Sequence, residues 1–111
     1  MGYGFISERR RRETVDRRLK MERQRLHVFY SGSVQGVGFR FGIERAANLR
    51  GVSGWVRNRP DGAVEAVFEG EPDDVEALVD FCRRGPRGAE VDRVDVEAES
   101  PESVSGFHVA G

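Results

Sequence analysis

From Arg25 onward the spacing of apolar residues switches several times between two periods, and the order of the switches leaves few folds open. Leu26, Val28 and Tyr30 alternate with His27, Phe29 and Ser31, which is the period of a strand with one buried face. A glycine-rich turn follows. Phe39, Ile43, Ala46 and Ala47 then recur at helical spacing and predict a helix from Phe39 to about Arg50, with Gly51 as its stop. Val52 to Asn58 reads as a second strand, Arg59-Pro60-Asp61-Gly62 as a turn, and Ala63 to Phe68 as the strand that completes a hairpin. Pro72 opens a second helix, because a residue with fixed φ and no N–H suits the first helical position. Asp73, Asp74 and Glu76 complement the dipole of that helix, Val75, Leu78, Val79 and Cys82 form its apolar stripe, and Gly85-Pro86 ends it. Val91 to Val96 alternates with charges as a fourth strand, and Gly106 to Val109 is a short terminal one. The order is βαββαβ. Two helices can cover one face of a four-stranded antiparallel sheet, so the expected fold is α+β, a ferredoxin-like two-layer sandwich. Each alternating strand then needs only one buried face.

A chain of 111 residues is one domain. Its net charge of −1 hides an asymmetry, since residues 1–20 hold seven Lys/Arg against three acids. That leaves +4 on the leader and −5 on the rest. Such a leader is either an electrostatic arm for nucleic acid or an appendage without structure of its own. The second alternative fits better, because the segment has almost no apolar periodicity with which to dock. We therefore expect a flexible basic extension over residues 1–24 and a folded unit over 25–111, with Met21 a natural start for a compact domain and a candidate start of translation. The lone cysteine, Cys82, excludes an internal disulfide and a cysteine metal cluster and fits a reducing compartment. No apolar run reaches the roughly 20 residues that span a bilayer. Nothing after the basic start resembles a signal peptide. A cytoplasmic monomer is the expectation.

Between the first strand and the first helix stands Gly32-Ser33-Val34-Gln35-Gly36-Val37-Gly38-Phe39-Arg40. For Gly36 and Gly38 alone, a tight turn needing positive φ is as good an account as any. Arg40 changes the balance. It falls in the first turn of a helix, where unpaired backbone donors already attract an anion, and its guanidinium could close a ring of N–H groups around a phosphoryl group. Other phosphate motifs are absent: there is no Gly-Lys-Ser/Thr, and Phe41 stands where a dinucleotide fingerprint would want its third glycine. His27 and His108 show no metal-ligand spacing, and Ser31, Ser33 and Cys82 have no histidine base at a suggestive position. The acids of the second helix and fourth strand read as solvated faces. Asn58 ends the second strand, where asparagine usually serves the following turn. By parity with Val56 it also faces the helices, and an amide there could hold a water beside an anion in the loop.

At these residues the chain resembles the acylphosphatases. The glycine turn through Arg40 matches one family motif, and Gly54-Trp55-Val56-Arg57-Asn58 with Asp61-Gly62 and Val64-Glu65 matches a second. Gly85-Pro86, Ala89, Val91 and the closing Phe107 are also similar to the family, so the resemblance runs from about Leu26 to the C-terminus. Leu49-Arg50 departs from it, because an apolar residue usually precedes the glycine there. The resemblance implies hydrolysis of a small acyl phosphate to a carboxylate and inorganic phosphate, with direct water attack and no metal or cofactor. It also implies site roles: Gln35, Gly36, Val37, Gly38 and Phe39 as the phosphate cradle, Arg40 as phosphoryl ligand, and Asn58 as the holder of the water. Two rivals remain. One is a non-catalytic module of the same fold that binds nucleic acid or an acyl or carbamoyl phosphate; against nucleic acid, no RNA-reading aromatic run is present on a strand. The other is a degenerate relative, disfavoured by intact Arg40 and Asn58.

Overall fold

In the computed structural model, which describes residues 23–110, β1 (Gln24–Ser33) leads into α1 (Phe39–Arg50). Then come β2 (Ser53–Asn58), β3 (Val64–Gly70), α2 (Pro72–Arg84), β4 (Glu90–Glu99) and β5 (Phe107–Val109). The sheet order is β4-β1-β3-β2-β5, with β1 and β3 central. Val28 pairs with Ala66 and, on the other side, with Val96, while Val56 also pairs with Ala66, so one apolar row crosses four strands. Leu26, Val28, Tyr30, Val56, Val64, Ala66 and Phe68 meet Phe39, Ile43 and Ala47 of α1 and Val75, Leu78, Val79 and Cys82 of α2 in a single core. Burying each large side chain contributes about 1.5–3 kcal/mol. Both helical stripes fall where the spacing put them.

Two expectations need correction. The sheet has five strands and is mixed, not four and antiparallel: β5 adds to the outer edge of β2 in parallel, pairing Gly54, Trp55 and Val56 with Phe107, His108 and Val109. The reason is packing, since the Phe107 ring stacks on Phe68 at 5.9 Å and closes the core beside α1. Second, β3 is buried on both faces throughout its length. Glu65, Val67 and Glu69 point away from the helices, yet the side chains of β1 and β2 and the segment before β5 cover them.

The ends of two other elements also differ from expectation. β4 continues past Val96 to Glu99, although that stretch lacks apolar alternation, because Arg25 and His27 of β1 bond the Glu99 carboxylate. Gln24 opens β1, and Arg23 bonds Glu69 at 3.0 Å, so these two residues belong with the fold. The rest of the expected extension lies outside the described residues. The departure at Leu49-Arg50 is accommodated without disturbing the helix end. Gly51 caps α1 with φ 71°, Val52 N–H donates to the Ala47 carbonyl, and Arg50 reaches Asp74 in the first turn of α2.

Candidate active site

The two helices begin in opposite ways. α2 opens conventionally: the Glu71 side chain accepts from Asp73 N–H, Pro72 occupies the first position, and Asp73 and Asp74 sit in the first turn. α1 has neither a side-chain cap nor an acid in its first turn, and carries Arg40 there instead. Its first internal bond is Gly42 N–H to the Gly38 carbonyl, so amides ahead of Gly42, those of Phe39 and Phe41 among them, have no acceptor within the helix. A positive helix end reinforced by a guanidinium attracts an anion rather than satisfying itself.

The turn before it depends on glycine. Gly36 and Gly38 both adopt φ 77°, a left-handed conformation that disfavours other L residues even where space is open. The result is a pocket of about 40 Å³ lined by Val34, Gly36, Gly38, Phe39, Arg40, Phe41 and Asn58. Of the residues expected at the site, Gly36, Gly38, Phe39, Arg40 and Asn58 are therefore brought together.

Gln35 and Val37 are not in that lining. Val37 packs its side chain against the core. Gln35 turns the other way, donating from Nε2 to the carbonyls of Arg59 at 2.8 Å and Ala63 at 3.0 Å. It thereby ties the glycine turn to the hairpin that carries Asn58. No periodicity or motif spacing reveals such a contact, because its acceptors are main-chain atoms of a distant turn. Val34 and Phe41 are additional lining residues, and Phe41 could have been noticed as an apolar residue out of phase with the stripe of α1.

Asn58 does not serve the turn that follows it. Asp61 does: its carboxylate accepts from Ala63 N–H and from Arg59, and the first of these bonds is the main cause that lowers its pKa. Arg59 N–H donates to the Ala63 carbonyl and Gly62 N–H to that of Arg59, completing the turn. Asn58 Oδ1 is instead buried, with no hydrogen-bond partner among the described residues. Such an orphan acceptor costs about 1–3 kcal/mol, so it marks a place for a donor from outside the fold.

Other reactive groups do not converge on this pocket. Cys82 lies in the core, where burial pushes its thiol up to about 12, and the Tyr30 hydroxyl, also raised by burial, bonds the Val79 carbonyl. Among the described residues no three His, Cys, Asp or Glu side chains gather as metal ligands, and no helix is long and apolar enough to cross a membrane.

Comparison with known proteins leads to the same place. The acylphosphatase family profile matches residues 26–109. An acylphosphatase of Thermococcus kodakarensis is 54% identical over 91 residues, covering 82% of this chain and all of the relative. One from Haloarcula marismortui is 55% identical over 89 residues, covering 80% and 98%. The solved structure of an acylphosphatase from Coxiella burnetii, 36% identical, superposes with a TM-score of 0.78 over 82% of this chain and 96% of its own. With an uncapped helix start, a glycine turn and a hairpin carboxamide around one small pocket, and relatives matched along nearly their whole length, the chain belongs to the acylphosphatase family.

Proposed function

We propose that the pocket at the start of α1 hydrolyses small acyl phosphates by direct attack of water, with Arg40 and the turn amides binding the phosphoryl group and Asn58 holding the water. The family membership supports the acylphosphatase activity itself. The roles rest on one observation above all: Asn58, whose buried Oδ1 has no partner among the described residues, lines the same pocket as Arg40, Gly36 and Gly38. A water that donates one hydrogen to this oxygen has its lone pair directed at phosphorus. Attack forms a P–O bond while the bond to the acyl oxygen breaks, and the carboxylate leaves with the electron pair. The proton lost by the water passes to a phosphate oxygen.

This sparse equipment suits the substrate. A carboxylate leaving group has a conjugate acid of pKa roughly 4, so no general acid is needed. Phosphoryl transfer then depends on alignment and on charge stabilisation, which the cradle and Arg40 supply without a metal. The cradle is the main-chain amides from Gln35 to Phe39, while the Val37 side chain packs on the core and that of Gln35 fixes the turn against the hairpin. The free thiol of Cys82 fits a reducing compartment, and a cytoplasmic monomer is the working form we propose. Purified protein is expected to release phosphate from acetyl phosphate in excess EDTA. Activity that vanished with chelator and returned with Mg²⁺ would overturn the proposed mechanism.

A further inference from the structure

The pocket that receives the phosphoryl group is small, about 40 Å³. It accommodates the head of an acyl phosphate but not the acyl group, which must project through the mouth. What stands at that mouth decides which acyl groups are favoured. Phe41 stands there. It lines the pocket, follows Arg40 in the first turn of α1, and is 60% exposed. Its ring centre lies 5.8 Å from the Arg40 guanidinium carbon. The other large exposed apolar residues among those described, Leu49, Phe81 and Val96, do not line this pocket.

Packing does not account for Phe41, since the buried stripe of α1 is Phe39, Ile43 and Ala47. At this solvent-facing helix position the ring has a weaker helix propensity than alanine, and its contact with the Arg40 guanidinium leaves it largely exposed. Beside a guanidinium that holds the phosphoryl group, however, the ring presents an apolar face within reach of whatever the phosphoryl group carries. An aromatic or apolar acyl group can lie on that face, and an acetyl group is too short to cover it. We propose that Phe41 contacts the acyl group and sets a preference for aromatic and larger apolar acyl phosphates over acetyl phosphate. This rests on the reading of the pocket given above and names the substrate class it selects.

The test compares kcat/KM for benzoyl phosphate and acetyl phosphate in the wild-type chain and in Phe41→Ala and Phe41→Leu. Both leaving groups are carboxylates of ordinary basicity, so the ratio reports mainly binding of the acyl group. An aromatic pair of this kind corresponds to roughly a 2- to 12-fold preference. The wild-type ratio should favour benzoyl phosphate. In Phe41→Ala it should fall by a factor in that range, mainly through KM, while Phe41→Leu should fall between the two. Position 41 is exposed and alanine is the better helix former, so both variants should fold, as far-ultraviolet circular dichroism will show. An unchanged ratio in Phe41→Ala, or equal losses on both substrates, overturns the preference while leaving the hydrolytic reading in place. A wild-type chain that hydrolyses neither substrate removes both.

Discussion

Asn58 shows how a single side chain can serve chemistry at the expense of stability. A buried carbonyl oxygen without a donor destabilises the fold, and natural sequences retain such a group where it has work to do. Asn58→Ala is therefore expected to melt at the same temperature as the wild-type chain or above it, yet to lose roughly 10²–10³ in turnover, the scale on which a preorganised polar group acts. Arg40→Ala should lose at least as much and should also weaken inhibition by inorganic phosphate, because it removes ground-state binding too. Steady-state assays alongside thermal melts check both, and an Asn58→Ala chain with more than a tenth of wild-type turnover would remove the water-holding role. The face on which Asn58 lies was legible from its parity with Val56, and Arg40 from its place after the glycine turn. The direction of Gln35 was not, since its two acceptors are backbone carbonyls that become neighbours only when the hairpin docks.

At the level of elements, the legible features were those with a long period. Both helices and the first strand carry four or so apolar residues at one spacing, which fixes type and face together. β5 is three residues long, too short for any periodicity, and its parallel seat depends on what β2 leaves open. Gly54 is the residue that leaves it open. At φ 137° it brings β2 so close to β3 that a Cβ would lie 1.8 Å from the Val67 carbonyl oxygen, and its N–H donates to the Gly106 carbonyl just ahead of β5. Gly54→Ala must part β2 from β3 or shift both, and it should cost at least about 3 kcal/mol, the range of core clashes and backbone strain. For a domain of this size that lowers the melting temperature by more than about 12 °C. A melt within a few degrees of wild type would show that the close approach is dispensable. Because β2 ends at Asn58, the variant should also lose activity below its melt.

Considered whole, the molecule has one face joined by apolar burial and another joined by charge. On the side away from the helices Glu69 is fully buried, and burial alone would raise its pKa. The amides of Glu102 and Ser103 together with Arg23 and Arg25 bring it down to about 2. Beside it, His27 on β1 sits between Glu65 of β3 and Glu99 of β4, each 2.6 Å from one ring nitrogen. Phe29 stacks on the ring, Trp55 meets it edge-on, Arg57 of β2 shares Glu65 and Arg25 shares Glu99. Two carboxylates can both receive a proton from one imidazole only when both nitrogens carry hydrogen, so this arrangement favours the imidazolium. This clamp was illegible in a sequence where alternating acids read as solvated faces, since its worth depends on register across three strands. Burial opposes the charge on His27, but the bonds to Glu99 and Glu65 outweigh it and raise the pKa above the ordinary 6.5. Glu65, despite its burial, and Glu99 are lowered from 4.5 by His27 and by Arg57 or Arg25. The contribution from His27 is thus complete below about pH 6.5 and fades as pH rises through its folded value, whereas that of the two acids fades as pH falls below about 4.5. The clamp is strongest between these limits. Melts from pH 5.5 to 9 should show the wild-type melting temperature declining above pH 6.5. His27→Gln, which can bond but cannot charge, should lose most at pH 5.5 and approach wild type at pH 9. Parallel curves for the two chains across that range would mean that the strands are held by packing and not by this proton.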